Sequence, residues 1–271
     1  MLISVVIPSR CRPFKLFNSV LTLWELRSGE HDIEFIIGLD DDDDDASLVE
    51  HLVISADVPF HVIRQPGFNT LGGKVDSLLK HCRGDVLTVL GDRCLALTLG
   101  WDVELAKLDL DPHRVAWWRG LHEICECPVM PRLWVKANAG PVVPDLFPFW
   151  HIDTWVREVD AFVSGRNPWF LEVRFANPRR GPTHDGRDLA FWAKVFAFTR
   201  KQRMEQAAHI RKRFSLPEPA NMAEILDALR QEDEFRLENA DSCEARFGTK
   251  LLPGEKYLKA KAKAECLLSG A

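Results

Sequence analysis

The chain has 271 residues, of which 46% are hydrophobic and 28% are charged, and its formal net charge is −5. This composition is close to the globular average, which excludes an intrinsically disordered chain, and the length allows a core without disulfides or structural metals. The acidic balance argues against bulk attraction to nucleic acid or to an anionic membrane, although a local basic patch is compatible with it.

The first eight residues are apolar but lack a basic n-region, so they predict a strand and not a signal peptide. No run approaches the roughly 18 apolar residues of a membrane span. The seven cysteines are an odd number for a disulfide framework, and only Cys125 and Cys127 lie close together, without the spacing of a CxxC motif. These features predict a cytoplasmic protein with reduced thiols.

Strand and helix patterns alternate through the first 90 residues. Short apolar runs predict strands, and apolar residues at helical spacing predict the helices between them. Apolar strands separated by helices indicate a parallel sheet that is covered on both faces. The predicted strands are 3–8, 33–39, 60–64 and 85–90; the predicted helices are 13–28, 47–55 and 74–82, and 65–73 is a predicted loop.

The second half of the chain is less regular and rich in tryptophan. The patterns predict a strand, a short helix, and then four longer helices. These elements are 115–119, 131–138, 153–163, 188–214, 222–235 and 255–268. Pro217 and Pro219 end the long helix. The fold class that we predict is α/β, with an open sheet flanked by helices and with a C-terminal helical extension.

Polar residues follow three of the first four predicted strands. The first strand is followed by the segment 8–13, the second ends at Asp40, and the fourth precedes Asp92 and Arg93. Ligands of open α/β sheets bind outside the carboxyl ends of the strands. Arginine makes paired hydrogen bonds to diphosphates, and aspartate accepts from a ribose or base or holds a divalent cation that bridges phosphates. This placement favours a nucleotide site.

Each of these signals also has a plainer interpretation. Arg10 and Arg12 could pair with surface carboxylates, and most of the run from Asp41 to Asp45 is expected to be a solvated loop.

Two common nucleotide motifs are absent. The segment 67–75 resembles a phosphate-binding loop, but its lysine is one place late and a valine follows it. No G-x-G-x-x-G opens a helix after the first strand, so a dinucleotide fold is not expected.

The order of these motifs resembles the GT-A-fold family 2 glycosyltransferases over roughly residues 1 to 165, and most of all the compact phage-like or bacterial members. The donor-side motifs are VVIPSRCRP at 5–13, FIIGLDDDD at 35–43, GDVL at 84–87, GDR at 91–93 and GWD at 100–102. Two later segments, CPVMPRLWV at 127–135 and HIDTWV at 151–156, resemble the acceptor side of that family.

The resemblance implies a GT-A-like, Rossmann-related open mixed sheet. It implies a glycosyltransferase domain over 1–187, whose residues 1–110 bind the nucleotide sugar and 111–187 the acceptor, followed by a helical extension over 188–271. The implied activity is an inverting transfer of a hexosyl or pentosyl group from a nucleotide sugar, expected to be a UDP-sugar, to an acceptor hydroxyl.

The resemblance also implies site residues. Asp153 corresponds to the catalytic base, and its alternative role is the N-cap of the helix that it opens. The implied donor-binding residues are Pro8, Ser9, Arg10, Arg12, Asp40, Asp42, Gly72, Gly73, Lys74, Asp92 and Arg93.

A divalent cation, Mn²⁺ or Mg²⁺, is implied at Asp92, which falls on the DxD-like position. Arg93 replaces the second aspartate of that position. Three alternatives stay open: Asp92 holds the metal with help from the phosphates, the enzyme needs no metal, or the site is inactive. His184, in a C-terminal loop, is a candidate second metal ligand, and its plainer interpretation is a surface turn.

The acceptor is expected to be a glycan or another hydroxyl compound. Basic residues along the long helix leave nucleic acid open as an acceptor, or they are simply solvated helix faces. They are Arg200, Lys201, Arg203, Arg211, Lys212 and Arg213. Trp118 and Trp150 are the predicted exposed aromatic rings for an acceptor, and the other tryptophans are expected in the core.

Two other functions stay open from the sequence. A nucleotidyltransferase would also have polar residues at the carboxyl ends of its strands. It should have a glycine-rich basic loop after the first strand, however, and residues 8–13 contain no glycine. The other is a catalytically silent nucleotide-sugar-binding or scaffold protein, which Arg93 favours. The pattern does not predict an oligomeric state.

Overall fold

The computed structural model describes residues 1–54, 58–65, 70–120, 125–148, 151–177, 188–247 and 255–270. The chain divides into two compact units. Unit 1 comprises Met1–Phe68, Lys74–Ala137 and Pro168–Pro178, and unit 2 comprises Asn69–Gly73, Asn138–Asn167 and Arg179–Ala271. The division of the chain at residues 110 and 187 that the resemblance implies stays a prediction.

In the part of unit 1 that the structure describes, the sheet has eight strands in the order β3-β2-β1-β4-β7-β6-β8-β5. Its strands are β1 (Leu2–Ser9), β2 (Asp32–Asp40), β3 (Phe60–Gln65), β4 (Val86–Val89), β5 (Leu95–Ala96), β6 (Ala116–Arg119), β7 (Pro128–Pro131) and β8 (Trp169–Ala176). The first four strands pair in parallel, whereas β7 is antiparallel to both of its neighbours, β4 and β6. The predicted open mixed sheet flanked by helices is therefore confirmed.

The central strand β1 shows why this sheet forms. Ile3, Val5, Val6 and Ile7 are all fully buried. Because successive side chains of a strand point to opposite faces, both faces of the sheet are covered at this strand. The helices of this part of the chain are α1 (Pro13–Glu25), α2 (Ala46–Ile54), α3 (Leu71–Leu79), α4 (Trp101–Ala106) and α5 (Arg132–Lys136).

Unit 2 consists mainly of helices around an aromatic cluster. They are α6 (Ile152–Ser164), α7 (Leu189–Phe198), α8 (Arg200–Phe214), α9 (Met222–Phe247) and α10 (Glu255–Ser269). The ring centroid of Phe147 lies 5.9 to 6.0 Å from those of Trp155, Trp192 and Phe196. Across the described residues, no helix combines the length and the apolar character that a membrane crossing requires.

Two helices replace the single one predicted over 188–214. The break falls at Thr199, whose hydroxyl donates to the carbonyls of Val195 (3.0 Å) and Phe196 (2.9 Å) and ends α7 there. The sequence patterns also missed β5, β7, β8 and α4. Three of these four have six residues or fewer, which is too short for a periodic signal.

Candidate functional site

The carboxyl ends of β2, β1 and β4 lie side by side. Ser9 at the end of β1 is paired in register with Leu39, and the amide of Leu90 donates to the carbonyl of Val6 at 2.9 Å. The segments that follow these three strands therefore leave the sheet at one edge. They are the segments in which the sequence predicted a nucleotide site.

Asp40 is a buried carboxylate held between two cations. Its Oδ2 accepts a hydrogen bond from Arg10 Nη1 at 2.6 Å, and its Oδ1 lies 2.8 Å from Lys74 Nζ. Lys74 is itself buried, and its ammonium also donates to the carbonyl of Ser9 at 2.9 Å. Because buried charges are tolerated only when they are paired, this arrangement fixes the direction of the Asp40 carboxylate.

Arg10 extends this network to Asp42. Its Nη1 and Nη2 donate to the two carboxylate oxygens of Asp42 at 2.7 and 3.0 Å. The hydrogen bonds that Arg10 donates to Asp42, and then the one that it donates to Asp40, raise the pKa of Arg10 above its ordinary value. Arg10 is thus a permanent cation placed between the two carboxylates, at the solvent-facing side of Asp40.

The acidic run after β2 is only partly the solvated loop that the sequence predicted. Asp41, Asp42 and Asp44 are exposed, as predicted for most of the run. Asp43, however, is buried and accepts hydrogen bonds from the amides of Cys11 (2.9 Å) and Asp45 (3.0 Å). Asp43 therefore fixes the loop that follows β1, and nothing in a run of identical residues could single it out.

Asp92 lies in a turn after β4 that is closed by a hydrogen bond from the Cys94 amide to the Gly91 carbonyl (3.0 Å). Its carboxylate is buried and accepts from Ser9 Oγ at 3.1 Å and from Arg12 Nη1 at 3.2 Å. Together with the Asp40 network, this places Ser9, Arg10, Arg12, Asp40, Asp42, Lys74 and Asp92 in one region of unit 1. Arg93 is the next residue of the same turn, and Pro8 is in β1.

The surroundings of Asp92 do not fit a metal held by the protein alone. Within the described ranges, the one set of three possible ligand side chains close to one another is Cys11, Asp43 and Asp45, and Asp92 is not part of it. The described partners of Asp92 are a hydroxyl and a guanidinium, which are hydrogen-bond donors. The predicted second ligand, His184, lies outside the described residues.

Gly72 and Gly73 lie in the first turn of α3 and not in the loop that the sequence predicted. Thr70 precedes the helix, and its Oγ1 accepts from the Gly73 amide at 3.0 Å, as an N-cap does. A Cβ atom would lie 2.4 Å from the carbonyl oxygen of Pro144 at Gly72, and 2.6 Å from Asp145 Oδ1 at Gly73. The glycines therefore permit a close approach of residues 144–145 to the helix.

Gly72→Ala is expected to destabilise the chain by about 1–3 kcal/mol, because the obstacle is a backbone carbonyl that cannot rotate away. Gly140→Ala is the matched control, since a Cβ there meets no atom within 4 Å. Urea unfolding of both variants measures the difference. Equal free energies of unfolding for the two variants would contradict a close contact between Gly72 and the carbonyl of Pro144.

Asp153 lies in the first turn of α6, with His151 in the N-cap position. Its Oδ1 accepts from the amide of Thr154 at 2.8 Å. The alternative prediction, that Asp153 is the N-cap, is therefore wrong, because the N-cap is His151, two residues earlier. An acidic residue in the first turn still interacts favourably with the helix dipole. Its role as a catalytic base stays a prediction.

The start of α6 is anchored within unit 2. The imidazole of His151 stacks on Phe196, with centroids 4.6 Å apart, and desolvation lowers its pKa to about 3, so the ring is neutral at neutral pH. Trp155 Nε1 donates to Gln206 Oε1 at 2.8 Å. One turn further on, Glu158 accepts from Arg203 Nε at 2.8 Å, with both side chains fully buried. His151 is thus part of the packing.

The basic residues of the long helix are largely used within the protein. Arg203 is buried, Arg200 pairs with Asp233, and Arg211 donates to the Phe162 carbonyl at 2.6 Å. Lys201, Lys212 and Arg213 are exposed. The interpretation as solvated helix faces is therefore wrong for Arg200, Arg203 and Arg211. The same three contacts remove half of the basic side chains that a nucleic-acid acceptor would need.

The prediction that Trp118 is exposed is wrong. Trp118 is fully buried in β6, and its Nε1 donates to Thr88 Oγ1 at 3.0 Å. Its strand lies inside the sheet, which the sequence patterns could not show. Trp150, the other predicted exposed ring, lies outside the described residues. The other tryptophans that were expected in the core and are buried are Trp117, Trp134, Trp155 and Trp192.

No protein-family model matches this chain, and no curated protein matches it by sequence. Among solved structures, this chain is similar to the mannosyltransferase PcManGT from Pyrobaculum calidifontis, whose structure is in complex with GDP-Man and Mn²⁺. The TM-score is 0.58 and the sequence identity 16%, and the match covers 99% of this chain and 78% of PcManGT. S. aureus TarS 1-349 is similar with a TM-score of 0.50 and 11% identity, over 100% of this chain and 92% of that one.

Glucosyl-3-phosphoglycerate synthase from Mycobacterium tuberculosis, in complex with Mg²⁺ and UDP, has a TM-score of 0.50 and 13% identity, over 80% of each chain. At identities this low, the likeness shows the fold. The chain has a GT-A-like α/β fold with an open mixed sheet.

Proposed function

We propose that this chain is a glycosyltransferase that moves a sugar from a nucleotide-sugar donor to an acceptor hydroxyl. The observation that carries the proposal is a pair of buried carboxylates, Asp40 at the end of β2 and Asp92 just after β4. These two strands run parallel on either side of β1, and the carboxylates are held by Arg10, Arg12 and Lys74. Open α/β sheets bind their ligands at this edge. The GT-A-like fold and the similarity to structures of transferases support the same function.

The donor is proposed to lie along this edge with its base and ribose toward Asp40. A carboxylate that is paired with two cations can accept hydrogen bonds but cannot donate them, so it suits a base N–H or a ribose hydroxyl. Arg12, beside Asp92, is placed to bind the diphosphate. The more specific parts of the proposal, a UDP-sugar and membership of family 2, rest on the sequence resemblance.

The proposed reaction is one inverting displacement. The acceptor oxygen forms a bond to the anomeric carbon from the face opposite to the nucleotide, while the bond from that carbon to the phosphate oxygen breaks. The electron pair of the broken bond stays on the nucleoside diphosphate. The proton of the acceptor hydroxyl passes to Asp153, which later releases it to solvent.

A thermal-shift screen of nucleotides and nucleotide sugars tests the proposal. A ligand at one hundred times its dissociation constant should stabilise the protein by about 2.7 kcal/mol. Asp40→Asn is expected to remove most of the shift, because an amide cannot replace the fixed carboxylate. Asp41→Ala, an exposed neighbour, is the matched control and should keep the shift.

The same screen separates the other two functions. A shift with nucleoside triphosphates but not with nucleotide sugars would favour a nucleotidyltransferase. A shift with a nucleotide sugar that is never consumed, even with water or simple glycans as acceptors, would favour a silent binding protein. No shift with any nucleotide would contradict the proposal.

A further inference from the structure

We infer that the guanidinium of Arg12, and not a divalent cation held by the protein, neutralises the diphosphate at Asp92. Glycosyl transfer by this chain then does not require Mn²⁺ or Mg²⁺. This inference deepens the proposed function and rests on it. Of the three alternatives that the sequence left open, it selects the one in which the enzyme needs no metal. Arg12 then supplies the positive charge that balances the charge of the diphosphate.

The first support is the set of atoms around Asp92. Arg12 Nη1 donates to Oδ1 at 3.2 Å and approaches Oδ2 at 3.5 Å, and Ser9 Oγ donates to Oδ2 at 3.1 Å. The side chain of Asp92 is only 7% exposed. Mg²⁺ and Mn²⁺ prefer about six oxygen ligands in a nearly octahedral arrangement. A cation would share the two oxygens of Asp92 with the guanidinium and the hydroxyl, and it would need most of its ligands from elsewhere.

The second support is the local charge. Arg93 follows Asp92 in the same turn, so the next residue in the chain is a cation and not a second carboxylate. In the described part of the chain, Asp92 belongs to no group of three possible metal-ligating side chains. A dication in this place would face one carboxylate and nearby guanidinium charge, whereas a diphosphate would be attracted by the arginines.

The third support is the reach of Arg12 itself. It is the residue before α1, and its carbonyl accepts the amide of Leu16 at 3.1 Å, so its backbone is fixed by the helix. Its side chain is 29% exposed. Among the described contacts, its hydrogen bonds to Asp92 use Nη1 alone, and a guanidinium has five N–H donors. Its Nε and Nη2 can therefore donate to phosphate oxygens while Asp92 holds its position.

During transfer, the electron pair of the breaking bond adds one negative charge to the nucleoside diphosphate. Arg12 stabilises that charge by charge-assisted hydrogen bonds. Asp92 acts as the residue that positions Arg12. No co-reactant beyond donor and acceptor is needed.

The test measures the affinity for UDP and for GDP, and the rate of nucleotide-sugar consumption, in EDTA and in added Mn²⁺. The wild type is expected to bind its nucleotide equally well, within about threefold, under both conditions, and to turn over in EDTA. Arg12→Gln is expected to weaken nucleotide binding by about ten- to a hundredfold and to lower kcat by about 10²-fold. Arg12→Lys, which keeps the charge, should recover part of the binding.

Arg230→Gln, at an exposed arginine of α9, is the matched control and should behave as the wild type. The midpoint of thermal unfolding without ligand checks that Arg12→Gln is folded. The inference would be overturned if the wild type lost nucleotide binding and turnover in EDTA and recovered both fully in Mn²⁺, while Arg12→Gln had no effect. That result would leave the proposed function intact. Absence of any nucleotide binding under both conditions would overturn the proposed function and the inference with it.

Discussion

Asp153→Asn is expected to lower kcat for glycosyl transfer by about 10² to 10⁴, the range for loss of a general base. Asparagine has nearly the same shape as aspartate but cannot take the proton of the acceptor hydroxyl. The affinity for the nucleotide is expected to stay unchanged, because Asp153 is not among the residues that are proposed to bind it. Steady-state rates together with a nucleotide-binding titration measure both quantities.

The variant also removes a negative charge from the first turn of α6, which should cost less than about 1 kcal/mol of stability. Glu224→Gln is the matched control for that effect, since Glu224 is an exposed acidic residue in the first turn of α9. It should keep the wild-type rate. If Asp153→Asn turned over as fast as the wild type, Asp153 would not be the base, and its place in the helix would explain the aspartate.

Glu158→Ala is expected to lower the free energy of unfolding by about 3–5 kcal/mol, the range for breaking a buried ion pair. Glu158 and Arg203 are both fully buried, with Oε2 and Nε 2.8 Å apart. Burial raises the pKa of Glu158 and lowers that of Arg203, so each charge depends on its partner. Removal of the carboxylate leaves Arg203 with the Thr199 hydroxyl at 3.0 Å, a neutral partner.

Urea unfolding of the single and double variants tests this interpretation. Glu158→Leu combined with Arg203→Met should recover most of the lost stability, because apolar residues of similar volume often replace a buried pair without loss. Lys201→Ala is the surface control, since Lys201 and Glu205 are exposed and 3.8 Å apart, and it should cost less than about 1 kcal/mol. A loss below about 1 kcal/mol for Glu158→Ala would show that the pair does not hold α6.

The sequence by itself predicted the elements whose signal is local. The strands that became β1, β2, β3 and β4 were found within two residues at each end. For β1, β2 and β4 the reason is that a strand buried on both faces is a mostly apolar run, whereas β3 is an edge strand with a single buried residue. It also predicted that Asp40 and Asp92 would come to one edge of the sheet, since parallel neighbouring strands end together. Sequence order and strand direction are sufficient for that inference.

Only the tertiary structure decided which side chains meet. Asp43 turns inward while its identical neighbours face solvent, and Lys74 reaches Asp40 from a helix that follows it by more than thirty residues. The carbonyl of Pro144 explains why residue 72 is a glycine, and the place of Trp118 in a strand inside the sheet explains why its ring is buried. These contacts join residues far apart in the chain, and periodicity within a segment contains no information about the segment that packs against it.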